Sequence, residues 1–277
     1  MAVRTTPGET MKQGSLKGAL RIHPIHTFSD NYVWLIEDGE YAVVVDPGQA
    51  QPVLDTLANR DLSLTAILLT HHHQDHVGGV LELLTHFPVP VYGPAMEVLP
   101  VCDFSLSEGS TVQLAHPALH LDVLDVPGHT AGHIAFTGQV GDESVLFCGD
   151  TLFVAGCGRM FEGTPPQMLA SLDKLAALPL NTRVYCAHEY TLSNLRWATH
   201  VDPKNAALAE FEQYALARRQ AGAPTVPSDI ELEKRCNPFL RVREAEIVQA
   251  ATQWAGKTLS EPAEVFAALR EWKNGFK

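Results

Sequence analysis

The apolar residues of the chain gather in short runs bounded by Gly, Pro, Asp and Asn, and these runs alternate with stretches of helical spacing. The folded part opens at residues 20–25. Residues 31–36 and 41–45 then read as two strands around Asp38-Gly39, a dipeptide suited to a tight hairpin turn. A short helix is expected over 52–60, a buried strand at Ala66-Ile67-Leu68-Leu69, and a helix from about 76 to 86. Further strands are expected at 89–92, 112–114, 121–126, 134–136 and 144–147. Leu169, Leu172, Leu175 and Ala176 recur at helical spacing and predict a helix over about 165–178, with a further strand at 183–186. Beyond Tyr190 the pattern is helical over 191–222 and 243–270, with a Pro- and Gly-containing break near 222–227 and no strand of comparable quality.

Strands therefore come in two groups, each followed by helices. The simplest α+β solution is two mixed sheets packed together with helices outside. Residues 1–19 are polar and are expected to be a disordered extension, 20–190 the sheet domain, and 191–277 a helical domain.

Composition narrows the function. A chain of 277 residues with 45% hydrophobic residues can bury a full core. No apolar run approaches the roughly 20 residues of a membrane span, so no membrane partner is expected. The net charge of −12 and the lack of a basic stripe argue against nucleic acid. The cysteines, Cys102, Cys148, Cys157, Cys186 and Cys236, are odd in number and form no Cys-x-x-Cys pair. That predicts a reduced, cytoplasmic protein without a disulfide framework, and residues 1–18 lack the apolar centre of a signal peptide.

The chemistry concentrates at strand ends. The strand at 66–69 runs into Thr70-His71-His72-His73-Gln74-Asp75-His76. In an extended backbone His71 and His73 point the same way, while Asp75 and His76 enter the first turn of the next helix. His129, Asp150 and His188 also follow apolar strands, beside Gly or Ala. Imidazoles and carboxylates converging on one point suit zinc, iron or manganese. The remaining histidines, His23, His26, His86, His116, His120 and His200, are read as structural or surface residues.

The set Thr-His-x-His-x-Asp-His, Gly-His-Thr, Gly-Asp-Thr and an isolated His resembles the metallo-β-lactamase superfamily. Residues 149–153, 156–163, 187–191, 237–241 and the ending at 270–276 are similar to the glyoxalase II, or hydroxyacylglutathione hydrolase, family. The resemblance runs from about residue 20 to the end. It implies a four-layer αββα sandwich with a C-terminal helical domain, and two divalent metal ions, zinc with iron or manganese as alternatives. By that pattern His71, His73 and His129 hold one metal and Asp75, His76 and His188 the other. Asp150 bridges them together with a hydroxide, and Asp75 and Asp150 form the catalytic pair around it. His72 and Gln74 point away, His133 lies just outside the ligand set, and Asp46 orients a ligand histidine.

The same resemblance implies hydrolysis of S-(2-hydroxyacyl)glutathione, typically S-D-lactoylglutathione, to glutathione and D-lactate, the second step of methylglyoxal detoxification. A two-metal site supplies hydroxide near neutral pH, and a thiolate with a pKa near 8.5 leaves without a strong general acid. No Gly-x-Ser-x-Gly elbow competes for the role of nucleophile. By resemblance Arg270 and Lys273 hold the glycine carboxylate, and their spacing of three places them on one helix face. Tyr190 matches a tyrosine that contacts the glutathione backbone. Arg159 and Phe161 stand where relatives have Lys and Tyr. The alternatives are a glutathione persulfide dioxygenase of the same superfamily, with one iron on His71, His129 and Asp150, and a non-enzymatic metal-binding protein. A monomer is expected.

Overall fold

The structure is a computed structural model and describes residues 18–276. Strands β1 (Arg21–Thr27), β2 (Asn31–Glu37) and β3 (Tyr41–Val45) form an antiparallel meander, with Gly39 in the second turn at φ 91°. After helix α1 (Ala50–Arg60), strand β4 (Ser63–Leu68) pairs parallel to β3. Helices α2 (Gln74–Val77) and α3 (Val80–His86) follow, and β5 (Val91–Pro94) and β6 (Phe104–Leu106) complete a six-stranded sheet in chain order.

The second sheet begins with β7 (Thr111–Leu114), β8 (Leu119–Asp125), β9 (Ile134–Val140) and β10 (Glu143–Gly149). A small hairpin of β11 (Leu152–Phe153) and β12 (Gly156–Cys157) projects from it, followed by α4 (Pro165–Ala176) and β13 (Arg183–Cys186). The remainder is α5 (Thr191–Val201), α6 (Ala206–Gln220), β14 (Ser228–Asp229), α7 (Ile230–Cys236), α8 (Ala245–Ala255) and α9 (Pro262–Gly275). The spatial order of this second sheet is β14-β13-β10-β9-β8-β7.

Strand alternation sorts the core into two layers. Trp34, Ile36, Val43, Val45, Ala66 and Leu68 face the second sheet, where Val123, Phe136 and Phe147 join the same cluster. Val33, Leu35, Ala42, Val44, Ile67 and Leu69 face the other way, onto Val53 and Leu57 of α1 and Val80 and Leu83 of α3. The first sheet is thus covered on both sides, which explains its unbroken apolar runs. Helix α4 and the C-terminal helices cover the second sheet, completing the αββα sandwich.

Several boundaries differ from the sequence expectation. The helix expected over 76–86 is two helices. The Gly79 amide bonds to Pro47 O at 2.9 Å instead of continuing the helical ladder. A Cβ on Gly78 would lie 2.7 Å from Gly48 O, and one on Gly79 2.6 Å from Pro47 O. The helix is interrupted where it presses on the β3–α1 loop. β5 sits two residues later than expected, and β6 was not foreseen. β14, inside the helical region, pairs antiparallel with β13. Of the expected 1–19 extension, residues 1–17 lie outside the described residues, and the Gly18 amide bonds to Asp38 O at 2.9 Å.

The helical region grips the β11–β12 hairpin through buried polar groups. Glu233, 1% exposed, accepts from Ala155 N at 2.9 Å, Ser228 Oγ at 2.7 Å and Asn237 Nδ2 at 2.9 Å. Burial outweighs these donors and pushes its carboxyl up from 4.5 to about 7. The folded protein therefore holds this proton more tightly than the unfolded chain, so stability falls as pH rises from about 4.5 to about 7 and then levels off. Denaturant midpoints across this range should show that slope, and Glu233→Gln should flatten it. Glu233→Ala should cost about 3 kcal/mol by stranding buried donors. An unchanged slope in Glu233→Gln would contradict this account.

Candidate metal centre

Strands β8, β10 and β13 share one direction, and their ends meet the end of β4 at one rim of the sandwich. The β4 end carries His71 and His73 and runs into α2 with Asp75 and His76. His129 follows β8, Asp150 follows β10 and His188 follows β13. Gly149 sits at φ 46°, and a Cβ there would meet Thr70 Oγ1 at 2.4 Å. Only glycine lets the end of β10 come this close and turn Asp150 inward.

Ligand atoms gather in overlapping groups: His71, His73 and His129; Asp75, His76 and His188; and His71, His76 and Asp150. Within each group they lie within 4.8 Å of one another. The outer faces of the rings explain which nitrogen points in. His129 Nδ1 donates to Arg159 O at 2.8 Å, His188 Nδ1 to Asp30 Oδ1 at 2.9 Å, and His76 Nδ1 to Asp46 Oδ2 at 3.1 Å. Thr70 Oγ1 donates to Asp46 Oδ2 at 2.7 Å and so accepts from His71 Nδ1 at 3.0 Å. Each ring then presents Nε2 inward, the arrangement of metal-ligating histidines held by an outer oxygen. His73 instead turns Nδ1 inward, 3.1 Å from His71 Nε2 and 2.9 Å from His129 Nε2.

Asp150 lies between the groups. Its Oδ2 is 3.3 Å from His129 Nε2, while Oδ1 is 3.4 Å from His76 Nε2 and 3.3 Å from His188 Nε2. His76 Nε2 and Asp150 Oδ1 are buried without a hydrogen-bond partner. Buried polar atoms are rarely left so, and two of them facing one point fit a cation between them. The chemistry of the donor set, imidazole and carboxylate, fits divalent metal ions.

The electrostatics agree. Burial disfavours a charged His76, but Asp150, Asp46 and Asp75 overcome it and hold the ring up at about 9. The same contest raises His188 through Asp150 and Asp30. Burial opposes ionisation of Asp150, yet His76, His188 and His129 hold it well below the usual carboxylate range. In contrast, burial lowers His71, His73, His129 and His133. His133 lies just behind the ligand groups: it stacks on His71 at 4.5 Å, and its Nε2 accepts the Asp150 amide at 3.1 Å.

A cavity of about 560 Å³ opens beside this cluster, the size of a small-molecule site. His129 and Asp150 form its floor, and Arg159, Arg196, Arg270 and Lys273 contribute cations to its walls. None of the four has a carboxylate within ion-pair distance among the described residues. In a chain of net charge −12 this is an uncompensated positive pocket. Lys273 lies 5.2 Å over the Trp197 ring, and burial, then the neighbouring Arg270, draw its ammonium down to about 7. Tyr190 lies flat on His188 at 4.6 Å, and the exposed Phe161 meets His73 and His129 edge-on.

Residues 26–188 match the family model of the metallo-beta-lactamase superfamily, and residues 189–276 that of the hydroxyacylglutathione hydrolase C-terminus. The hydroxyacylglutathione hydrolase of Cupriavidus metallidurans is 54% identical, over 93% of this chain and all of that one. That of Alkalilimnicola ehrlichii is 55% identical, over 90% and 97%. The chain belongs to the hydroxyacylglutathione hydrolase family. Among solved structures, TTHA1623 in a di-iron-bound form is 28% identical with a TM-score of 0.56, covering 79% of this chain and all of that one.

The structure brings together every residue expected at the metal cluster, and Arg159, Phe161, Tyr190, Arg270 and Lys273 around the cavity. His72 points away, onto Glu97, and none of the other histidines joins a ligand group. Arg270 differs from a freely presented clamp residue. It is 3% exposed, donates Nη1 to Cys157 O at 2.8 Å and Nε to Asn274 Oδ1 at 3.1 Å, and stacks on Phe239 at 5.1 Å. Sequence reasoning missed Arg196, three residues after Ser193 on the pocket face of α5. It also missed Asp30 on His188 and Asn31, whose Nδ2 donates to Asp75 Oδ2 at 2.9 Å. Their signal was a polar Asp-Asn pair opening an otherwise apolar strand.

Asp46 also accepts the Thr70 amide at 2.8 Å, so one carboxylate supports both His71 and His76. Asp46→Ala should weaken metal retention about 10- to 100-fold while the sheets stay folded. Metal content after dialysis against a chelator, with circular dichroism as control, checks this, and wild-type retention would contradict it.

Proposed function

We propose that the protein hydrolyses the thioester of S-(2-hydroxyacyl)glutathione, with S-D-lactoylglutathione as typical substrate, releasing glutathione and a 2-hydroxy acid. The observation that carries this reading is the juxtaposition of the ligand groups with a cationic cavity, in a chain about half identical to named hydroxyacylglutathione hydrolases. In this reading His71, His73 and His129 hold one divalent metal, and Asp75, His76 and His188 hold a second, zinc at both positions. The facing of the two Asp150 oxygens toward different groups supports its role as the shared ligand. Bound metal ions would supply a water of pKa about 7 and would stabilise negative charge on the carbonyl oxygen.

The residues of the chain do the rest. Glutathione is a peptide with two carboxylates, and Lys273, Arg159 and Arg270 draw them to the cavity wall. Arg270, fixed by Cys157 and Asn274, sets the direction of the clamp more than its strength. Tyr190 positions the peptide beside His188, so that the thioester carbonyl lies over Asp150. Phe161 shields His73 and His129 from bulk water. The departing thiolate needs no strong acid. A monomer in the cytoplasm is the working state. The persulfide dioxygenase reading is not favoured, because the relatives at about 50% identity are named hydroxyacylglutathione hydrolases and residues 189–276, which match the C-terminal model of that family, supply Tyr190, Arg196, Arg270 and Lys273 to the cavity. A non-enzymatic binder would have no use for a cavity open to the cluster.

Purified protein should hydrolyse S-D-lactoylglutathione with about two metals per chain, and absence of turnover in metal-replete protein would refute the reading. The pH dependence tests the clamp. Lys273 is charged below about 7 and must regain a proton to hold a carboxylate above it, so KM should rise with pH beyond about 7. Lys273→Arg should flatten that rise, and Lys273→Met should raise KM about tenfold at pH 6 with a smaller change in kcat. An unchanged KM in Lys273→Met would remove it from the clamp.

A further inference from the structure

Asp46 serves His71 and His76 alike, but the two ligand groups otherwise rest on different outer residues. His188 and Asp75, from the second group, are steadied by Asp30 in the turn between β1 and β2 and by Asn31 at the start of β2. Nothing equivalent in that turn reaches His71, His73 or His129. The first group has a separate support on the opposite side, in the turn that follows β5.

That turn is built around one inward carboxylate. Met96 and Val98 are 82% and 93% exposed, while the Glu97 side chain between them is 1% exposed. Glu97 Oε2 accepts the His72 amide at 3.1 Å and also contacts His72 Nδ1. Glu97 Oε1 accepts Thr130 Oγ1 at 2.6 Å and the Gly132 amide at 2.9 Å. One oxygen therefore binds the loop after β4, at the residue between His71 and His73. The other binds the loop after β8, at the residue that follows His129. Glu162 closes the same corner, accepting the Ala131 amide at 2.8 Å with His72 Nε2 3.6 Å away.

We propose that Glu97 is a positioning residue specific to the first metal position: it ties together the two loops that carry His71, His73 and His129, whereas Asp30 and Asn31 serve the second position and Asp46 serves both. This inference rests on the two-position reading above. A carboxylate suits the task because it offers only acceptors to donors arriving from both loops. A buried carboxylate is costly unless its oxygens are satisfied, and here each oxygen takes donors from one loop. Glu97 touches neither substrate cavity nor ligand atom, so its effect is on ligand spacing alone.

The assignment separates two metal affinities that a general loss of stability would move together. Titration of metal-free protein with cobalt(II), followed by its visible absorption and by metal content, reads both positions without substrate. Wild type should take up about two ions. Glu97→Ala should lose about tenfold or more in affinity at one position and keep the other within about twofold. Asp30→Asn should weaken the other position instead. Glu97→Gln keeps the size and one acceptor, but its amide hydrogens meet the His72 amide, so it should show the same selective loss to a smaller extent. It serves as the second variant if Glu97→Ala does not fold.

Kinetics give an independent readout. With S-D-lactoylglutathione, the Glu97 variants should lower kcat and leave KM near wild type. Two ions in wild type with equal loss at both positions, or with no loss in either Glu97 variant, would overturn the assignment of Glu97. A single ion in wild type would overturn the two-position reading and the assignment with it.

Discussion

The structure depends on keeping the Asp150 carboxylate ionised while it is buried among imidazoles. Burial alone would neutralise it, and the rings of His76, His188 and His129 reverse that preference. Those rings can do so only if they arrive from separate strands at one point. The sandwich achieves this by bringing the ends of β4, β8, β10 and β13 to a common rim, with Gly149 letting the end of β10 approach Thr70. The outer acceptors Asp30, Asp46 and Arg159 O then fix the ring orientations. Removing one of these carboxylates would leave a ring of the buried cluster without its outer partner.

The second constraint is electrostatic contrast. The cluster is rich in carboxylates and favours cations, while the adjoining cavity is rich in cations and favours anions. An anionic thioester would bridge these regions, its carboxylates on the wall and its carbonyl over the cluster. The C-terminal helices supply the wall, and Glu233 and Asn237 lock them to the β11–β12 hairpin that borders it. The region after Tyr190 is therefore bound into the site rather than appended to it.

Much of this was legible along the chain. The cluster at 71–76 is contiguous, and His129, Asp150 and His188 each follow an apolar strand, so local pattern was enough to nominate them. What was not legible depends on tertiary contact. The break between α2 and α3 comes from Gly78 and Gly79 pressing on the β3–α1 loop, which no helical periodicity reveals. β6 has two exposed residues out of three, and β14 is a polar pair that becomes a strand only by bonding to β13. The Arg270–Lys273 spacing was readable, but not that Arg270 is committed to Cys157 O and Asn274. Asp30 and Glu97 sit far from the histidine motifs in sequence and reach them only through turns.

The most direct test of the account is the metal content of Asp150→Ala, measured by elemental analysis on folded, metal-reconstituted protein beside wild type. Because one Asp150 oxygen faces each ligand group, the variant should retain metal poorly at both positions and lose most thioester hydrolysis. Full metal content with normal turnover would contradict the shared role of Asp150 and the arrangement built around it.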